Sequence, residues 1–370
     1  MKILQLISSL GYFGAENVLV QLANELHKDS SCEVIAGIIE NLGSPHVEVA
    51  SECSKRGITS VCFPCSRKID LKTILNLRQY IKDSNIDIIH SHGYKSNLYS
   101  FFSTFGLRVG LIATCHNWIE QSPKMKVYSV LDRIFLKRFA HIVAVSDEVQ
   151  NTLSRNNIPP RKVSIIKNGI DLERFNNIDA SLLLRKDLAI PDHHVVIGTV
   201  GRISKEKGHI HLLRVFKALK KQLPETTLLI IGSGQLKDEL QAEFSDQSII
   251  FTGLRNDIPE LYQAMDIFVL PSLTEGLPMV LLEAMSSRLP VVATNVGQIP
   301  FVIKENDTGL MVPPGDEKEL ERNLLKLALD QETRKSMGVN GYARVKESFS
   351  SVRMTQEYKN IYQTVLGRAQ

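Results

Sequence analysis

Two features are missing from this sequence of 370 residues: a long apolar run and a large excess of one charge. No stretch approaches the roughly 18 consecutive apolar residues of a membrane-spanning helix. The apolar start, Met1–Ile7, is too short for a signal peptide and is typical of a first strand. The formal net charge of +4 is too small to indicate binding to nucleic acid. We therefore expect a cytoplasmic protein whose partners do not include nucleic acid.

Cysteine is scarce as well, and an odd count of five argues against a disulfide framework. Cys62 and Cys65 have the spacing of a redox motif, but no second cysteine pair completes a zinc site, so a structural role is the better interpretation. The sequence also lacks an Asp-x-Asp pair that would hold a divalent cation on a diphosphate. We predict no metal site.

Alternating apolar strands and helical segments fill both halves of the chain. Helices are predicted in the first half at Ala15–His27, Leu71–Lys82 and near Ser96–Phe105. Such alternation indicates parallel sheets covered by helices on both faces, and two series indicate two doubly wound domains of the α/β class. The polar stretch Asn168–His194 is the predicted linker. The predicted strands are Ile3–Ile7, Val34–Ile39, Thr59–Phe63, Ile86–His90, Leu111–Thr114, Ile142–Val145, Val195–Val200, Leu228–Ile231, Ile249–Phe251, Ile267–Leu270 and Val291–Ala293.

The segment Pro271–Met285 combines a strand end, a glycine loop and a helix predicted to begin at Pro278. Its two carboxylates, Glu275 and Glu283, are eight residues apart and could accept hydrogen bonds from sugar hydroxyls. Backbone amides at a helix N-terminus bind anions, because unpaired N–H groups and the helix dipole point the same way. An ordinary loop with two exposed glutamates fits the spacing equally well. The amides concerned are those of Gly276, Leu277, Met279 and Val280.

A second set of polar residues follows the first strand of the second series. Arg202 and Lys207 would place two cations beside the start of the predicted helix His209–Leu223, which suits a diphosphate. A solvated basic loop is the alternative, and the position between a strand and a helix argues against it. Glycine turns at two further strand ends could face a nucleotide base or ribose. They contain Gly232 and Gly234 in one case and Thr252 and Gly253 in the other.

Glycine and histidine also follow strands in the first half. Gly14, after the first strand, could let the backbone approach a phosphate closely, although any tight turn favours glycine. His90 and His92 are expected after the fourth strand and His116 after the fifth. A single such histidine is more often structural than catalytic, and the presence of histidines on two adjacent strand ends shifts that balance only modestly.

The order of these motifs resembles the GT-B-fold glycosyltransferases of family 4, the group called glycosyl transferases group 1. The match runs over essentially the whole chain, and the ordered combination is specific although no single motif is. The motifs that carry it are Gly14-Ala-Glu16, His116, Asn168-Gly-Ile-Asp171, Gly201-Arg202 with Lys207-Gly208, Gly232-Ser-Gly234, Asp266–Ser272 and Glu275–Glu283.

The resemblance implies a GT-B architecture with a nucleotide-diphosphate sugar in the cleft between two Rossmann-like domains. The acceptor-side domain would span residues 1–170, with a C-terminal helix, 352–370, crossing back onto it. The donor-binding domain would span residues 171–351. Arg202 and Lys207 would hold the diphosphate, and Glu283 the ribose. Glu275 and the amides after it would bind the sugar, His116 would touch it near the reacting carbon, and Gly14 would approach the diphosphate.

The implied enzyme is a retaining hexosyltransferase that needs neither metal nor cofactor, since fixed cations can stabilise the leaving diphosphate. His116, Glu275, Arg202 and Lys207 would be its catalytic residues. The acceptor would be lipid-linked or an oligosaccharide, in surface polysaccharide, lipopolysaccharide or glycolipid assembly. The alternatives are a non-catalytic sugar-nucleotide-binding relative and a GT-B nucleotide-sugar epimerase. The chain departs from the family pattern at Phe13, Arg288, Gln298 and Phe301, which bears on the choice of sugar and acceptor.

Two basic helical stretches bear on localisation. One is Lys124–Ala140, and the other lies near Leu71–Lys82 with cations at Arg67, Lys68, Lys72, Arg78 and Lys82. A basic amphipathic face can rest on anionic lipid, so one hypothesis is a peripheral enzyme on the inner face of the cytoplasmic membrane. A solvated helix face is an equally good interpretation.

Overall fold

The computed structural model describes residues 1–8, 11, 14–46, 48–67, 69–116, 130, 132–175 and 181–369. The chain divides into two compact units. The N-terminal unit comprises Met1–Gly169 and Ser351–Gln370, and the C-terminal unit comprises Ile170–Ser350. The boundaries expected from the sequence differ from these by one residue. Phe13, Lys68 and residues 124–129 and 131 of the predicted helix Lys124–Ala140 lie outside the described residues.

The N-terminal unit contains a seven-stranded parallel sheet in the order β3-β2-β1-β4-β5-β6-β7. Its central strands are apolar on both faces, as in a sheet covered by helices on both sides, and Leu4 and Ile89 are fully buried. The strands are β1 (Lys2–Ile7), β2 (Glu33–Asn41), β3 (Thr59–Cys65), β4 (Ile88–His92), β5 (Gly110–Cys115), β6 (His141–Ala144) and β7 (Val163–Ile165). The helices are Gly14–His27, Glu48–Lys55, Leu71–Asp83, Tyr94–Thr104, Asp147–Arg155 and Ser351–Ala369, with a 3-10 turn at Pro160–Lys162.

The prediction for the fourth strand was wrong by two residues. Asn85 adopts a left-handed conformation with φ +50°, and the N–H of Ile86 donates to the carbonyl of Ile81 at 3.1 Å. These two residues therefore close the preceding helix in a Schellman motif, and the strand begins only at Ile88. As a result, His90 and His92 lie within β4 and are buried there, rather than in a loop after it.

The C-terminal unit contains a six-stranded parallel sheet in the order β10-β9-β8-β11-β12-β13. In order of first appearance this is 3-2-1-4-5-6, the arrangement of a Rossmann fold, so the expected α/β class with two doubly wound units is confirmed. The strands are β8 (Val195–Val200), β9 (Thr226–Ile231), β10 (Ile249–Gly253), β11 (Ile267–Leu270), β12 (Val291–Thr294) and β13 (Leu310–Val312). The helices are Ser181–Asp187, His209–Gln222, Lys237–Glu243, Ile258–Gln263, Met279–Ser286, Ile299–Val302, Glu317–Leu329 and Gln331–Ser348, with 3-10 turns at Glu173–Phe175 and Lys205–Lys207.

From Ile170 onward, the segment predicted to be a linker is instead part of the C-terminal unit. It contains the helix Ser181–Asp187, and Phe175, Leu184 and Ile190 enter that unit's hydrophobic core. Arg185 fixes the segment to the sheet through an ion pair of 2.9 Å with Asp266. The polar composition of the segment had concealed these three apolar anchors.

The last helix, Ser351–Ala369, belongs to the N-terminal unit. Its residues Met354, Tyr358, Tyr362 and Val365 are at most 3% exposed and join that unit's core. Among the described residues, we find no helix with the length and apolarity needed to span a membrane.

Candidate active site

Four adjacent strands of the second sheet end in the loops that carry the predicted motifs. Arg202 follows β8, Gly232 follows β9, Gly253 ends β10 and Glu275 lies in the loop after β11. The strand order changes direction between β8 and β11, and ligands of doubly wound sheets bind beyond the carboxyl ends of the strands at such a point. The motifs are therefore gathered at the edge where this fold binds its ligands.

The glycine turns join these loops to each other. A Cβ atom on Gly232 would lie 1.9 Å from the carbonyl oxygen of Gly201, and one on Gly234 would lie 2.2 Å from that of Ile203. Gly253 has φ +72°, and its carbonyl accepts a hydrogen bond of 2.9 Å from the N–H of Gly232. Packing and backbone conformation thus account for these glycines. Contact between them, or Thr252, and a nucleotide stays a prediction.

Lys207 and Glu275 form the centre of the site. Nζ of Lys207 lies 2.7 Å from Oε1 of Glu275, and the two side chains are 23% and 7% exposed. The hydroxyl of Ser272 donates to the same oxygen at 2.7 Å. The predicted diphosphate cation and the predicted sugar-binding carboxylate are therefore in direct contact, which their separation in the sequence did not reveal.

A neighbouring turn packs against the Glu275 loop. Gly297 has φ +57°, and a Cβ atom there would lie 2.0 Å from the carbonyl oxygen of Glu275. The N–H of Gln298 donates to the carbonyl of Gly276 at 3.0 Å. Because this bond uses the backbone, the departure from the family pattern at Gln298 leaves the support intact.

Glu283 lies on the helix Met279–Ser286, which begins one residue later than predicted because Pro278 is its N-cap. The hydroxyl of Tyr262 donates to Oε2 of Glu283 at 3.0 Å. Burial raises the pKa of Glu283, while the Tyr262 hydrogen bond and the charge of Arg174 act against that rise. Tyr262 is fully buried. Its position in the sequence is typical of a core residue, so no local pattern predicted its contact with Glu283.

The remaining predicted residues of this unit lie around that centre. The side chain of Arg202 is 71% exposed and pairs with Glu206 at 3.0 Å, so it is not in the Lys207–Glu275 cluster. Gly276 has open space around its Cα, since an added Cβ would meet no described atom within 4 Å. Leu277 and Met279 are partly buried, and their side chains pack against the core.

Two predicted residues belong to the N-terminal unit. Gly14 is the first residue of the helix Gly14–His27, and a Cβ atom there would meet no described atom within 4 Å. His116 follows β5, with Nε2 at 3.4 Å from Nδ1 of His92. Burial lowers the pKa of His116 to about 4, so the ring is neutral at pH 7. Across the described residues, no group of three or more His, Cys, Asp or Glu side chains is arranged to hold a metal ion.

Comparison with known proteins decides the family. Residues 13–174 match the model of glycosyltransferase family 4, and residues 182–344 match that of glycosyl transferases group 1. The chain belongs to the group 1 glycosyltransferases. Together the two matches cover both units, including Gly14, His116, Arg202, Lys207, Glu275 and Glu283.

Individual relatives agree with this assignment. UDP-Gal:alpha-D-GlcNAc-diphosphoundecaprenol alpha-1,3-galactosyltransferase of Escherichia coli is 26% identical over 82% of each chain. The capsular polysaccharide biosynthesis glycosyltransferase CapM of Staphylococcus aureus is 29% identical. That alignment covers 70% of this chain and 75% of CapM. Anabaena HepE, solved with UDP and with UDP-glucose, superposes with TM-scores of 0.83 and 0.80 at 20% and 21% identity. Both alignments cover 98% of this chain and 100% of HepE, which confirms the GT-B fold.

Proposed function

We propose that this glycosyltransferase moves a hexose-type sugar, with retention of anomeric configuration and without a metal ion, from a nucleotide-diphosphate sugar to a lipid-linked or oligosaccharide acceptor. The observation that carries the proposal is the cluster of Lys207, Glu275 and Ser272 at the switch point of the second sheet. It offers a cation for the diphosphate and a carboxylate for sugar hydroxyls within one hydrogen bond of each other.

The charges suit the departure of a nucleoside diphosphate. Breaking the bond between the anomeric carbon and the diphosphate leaves negative charge on the phosphate oxygens, and the cations of Lys207 and Arg202 would stabilise that charge. In this proposal, the leaving phosphate takes the proton of the acceptor hydroxyl as it attacks from the same face. Retention follows from that geometry, and the reaction requires no separate general base. Gly14 and His116 complete the contacts to the donor.

The class of acceptor is proposed from the relatives. The Escherichia coli relative is named for transfer to a diphosphoundecaprenol-linked sugar, and the Staphylococcus aureus relative for capsular polysaccharide biosynthesis. We propose that this protein has the same kind of biosynthetic role, in the assembly of surface polysaccharide or glycolipid. A GT-B epimerase ranks lower, because it would not need the Glu275 and Glu283 pair in this setting. A non-catalytic sugar-nucleotide-binding protein is the other alternative.

A screen of nucleotide sugars tests these options. Thermal shift and mass-spectrometric turnover are measured with EDTA present, on wild type and Lys207→Ala. We expect one donor to stabilise the wild type and to release nucleoside diphosphate slowly, with no effect in the variant. The anomeric configuration of the product, read by NMR, tests retention. Conversion of the donor without an acceptor to an epimer would favour the epimerase, and binding without turnover would favour the non-catalytic protein.

An exposed face of the N-terminal unit suits an anionic membrane surface, as a peripheral enzyme on the inner leaflet requires. On the helix Leu71–Asp83, Leu71 and Leu75 are 69% and 57% exposed, and Lys82 lies on the same helical stripe. Arg78, also on this stripe, donates to the carbonyls of Ser103 and Phe105 at 3.1 and 2.7 Å, so it stabilises the fold as well. Exposed leucines beside cations favour an anionic lipid surface over water.

Sedimentation with phosphatidylglycerol vesicles at low salt tests this part of the proposal. The wild type is expected to bind, and the double variant Leu71→Ser and Leu75→Ser to bind several-fold more weakly. Leu329→Ser, at a similarly exposed leucine of the C-terminal unit, is the matched control and should bind as the wild type does. A wild type that stays in the supernatant at low salt would overturn the membrane assignment and leave the transferase assignment untouched.

A further inference from the structure

A chain of buried hydrogen bonds connects the C-terminal helix to His116 through the first sheet. Nε2 of Gln5 donates to the hydroxyl of Tyr362 at 2.9 Å, and Oε1 of Gln5 lies 2.9 Å from Nε2 of His92. Nδ1 of His92 in turn lies 3.4 Å from Nε2 of His116. Gln5, His92 and Tyr362 are at most 3% exposed, so bulk water does not replace these partners.

The orientation of the Gln5 amide determines which nitrogen of each ring carries the proton. Oε1 of Gln5 only accepts, so the proton it receives belongs to Nε2 of His92. A neutral imidazole has one N–H, which makes Nδ1 of His92 an acceptor and places the shared proton on Nε2 of His116. Burial lowers the pKa of His92 well below its usual value and that of His116 to about 4, so both rings are neutral at pH 7. Nδ1 of His116 has no hydrogen-bond partner among the described residues.

The donor and acceptor roles in a second branch of hydrogen bonds follow from the same orientation of the Gln5 amide. Because the Tyr362 hydroxyl accepts from Gln5, its own proton points to Nδ1 of His90, at 2.8 Å. Nε2 of His90 then donates to Oγ1 of Thr114 at 2.7 Å. A rotation of the Gln5 amide by half a turn would require every proton of both branches to reverse. The reversal would also move the proton of His116 to Nδ1 and turn that atom from an acceptor into a donor.

We propose that Gln5, His92 and Tyr362 are positioning residues that hold His116 in the Nε2–H tautomer, so that Nδ1 accepts a hydrogen bond from a hydroxyl of the donor sugar. The contact to the sugar rests on the proposed function, whereas the tautomer is a property of the protein alone. An acceptor at this point selects a sugar that carries the hydroxyl over its deoxy analogue, since the analogue leaves this nitrogen unpaired. We call the hydrogen-bonded chain of Gln5, His92 and Tyr362 the relay. In this proposal the relay contributes to sugar specificity, and Tyr362 of the last helix is one of its members.

The tautomer is measured directly on the full chain. Long-range ¹H–¹⁵N NMR of protein labelled at histidine distinguishes protonated from bare ring nitrogens, and His116→Gln identifies the signals of His116. At pH 7 we expect Nε2 protonated and Nδ1 bare for His90, His92 and His116. A wild-type His116 protonated at Nδ1 would overturn the proposal without any variant.

Two buried tyrosines on one helix provide a matched comparison. Tyr362→Phe removes the anchor of Gln5, whereas Tyr358→Phe removes a hydroxyl whose one partner among the described residues is Thr114, at 2.8 Å. We expect the His116 signals to shift toward the other tautomer in Tyr362→Phe and in Gln5→Met, and to stay in place in Tyr358→Phe. Equal signals in all three variants, or equal shifts in the two tyrosine variants, would overturn the relay. Thermal melts check that the two tyrosine variants lose similar stability.

Kinetics then separate the relay from the role of His116. With the nucleotide sugar selected by the screen, Tyr362→Phe should lower kcat about tenfold, as for loss of one hydrogen bond made in the transition state. It should also lower the ratio of the turnover rate of the hydroxyl-bearing sugar to that of its deoxy analogue. KM for the nucleotide sugar should be nearly unchanged. If the tautomers shift as expected but His116→Ala turns over as fast as wild type, the contact to the sugar is refuted and the tautomer relay stands.

Discussion

Lys207 and Glu275 share one ion pair, with 2.7 Å between Nζ and Oε1, at the centre of the candidate site. The cation proposed for the diphosphate therefore neutralises the carboxylate proposed for the sugar. The two recognition tasks are coupled, because any movement of one side chain changes the charge environment of the other. The hydroxyl of Ser272, at 2.7 Å from the same oxygen, gives Glu275 a second partner that does not depend on Lys207.

Removal of one partner should cost more stability than removal of both charges. Lys207→Met leaves the nearly buried Glu275 carboxylate without its cation and should lower the free energy of unfolding by about 2 kcal/mol. The double variant Lys207→Met and Glu275→Gln should recover most of that loss, since a glutamine oxygen still accepts from Ser272. Denaturant unfolding of the three variants, with Glu275→Gln alone, gives the coupling energy. Strictly additive effects would contradict the coupling. Donor turnover should fall at least a hundredfold in every variant.

The pH dependence of donor binding should report on Glu283. Burial raises its pKa, and ribose hydroxyls need the ionised carboxylate as an acceptor, so KM for the donor should rise as pH falls through the pKa of Glu283. Tyr262→Phe removes a hydrogen bond that lowers this pKa, so the rise in KM should begin at a higher pH. Glu283→Gln is the control and should lose this limb of the KM profile. A profile unchanged by Tyr262→Phe would show that another group titrates.

Gly14 should matter for activity and not for folding. An added Cβ meets no described atom, so Gly14→Ala should leave the melting temperature equal or slightly higher, because alanine favours a helix more than glycine does. Donor turnover should fall about tenfold, if the glycine exists to let a diphosphate approach the backbone. Gly43→Ala, at another open glycine of the same unit, is the control and should turn over normally. Normal turnover in Gly14→Ala would remove this residue from the donor site.

The backbone of Arg288 should be strained, and the contact of its side chain with Tyr342 should partly offset that strain. It has φ +57° at the end of the helix Met279–Ser286, where the family pattern has glycine, and its guanidinium lies 4.5 Å from the centre of the Tyr342 ring. Arg288→Gly relieves the left-handed conformation and loses the ring contact, whereas Arg288→Ala loses the contact and keeps the strain. The glycine variant should therefore be more stable than the alanine variant by about 1 kcal/mol in denaturant unfolding. Equal stability would mean that the backbone at this position carries no strain.

Periodicity and strand-end residues predicted most of the architecture. The segment Ile267–Leu270 was located to the residue, and Glu275 and Lys207 were identified as site residues, because a buried parallel strand followed by a polar loop is a local pattern. The strands β7 and β13 were missed, since three residues are too few to show a period. The position of β4 was misjudged because Asn85, rather than glycine, ends the helix before it.

Contacts between distant residues could not be predicted from these patterns. Lys207 and Glu275 are 68 positions apart, and Gln5 and Tyr362 are 357 apart. A local pattern shows that each residue is buried or follows a strand, but not which side chain it meets. Tyr262 and Tyr362 were therefore not among the predicted site residues, although their hydroxyls bond to Glu283 and Gln5.

The return of the last helix to the N-terminal unit sets the order in which the two units can be completed during synthesis. Tyr358 and Tyr362 supply buried hydrogen bonds to Thr114, His90 and Gln5, and they leave the ribosome after every residue of the C-terminal unit. The contiguous C-terminal unit, Ile170–Ser350, can therefore finish folding while the sheet made first still has an uncovered face. The N-terminal unit is therefore synthesised first but completed last. Until the last helix packs onto its sheet, the apolar face of that sheet is open to chaperones.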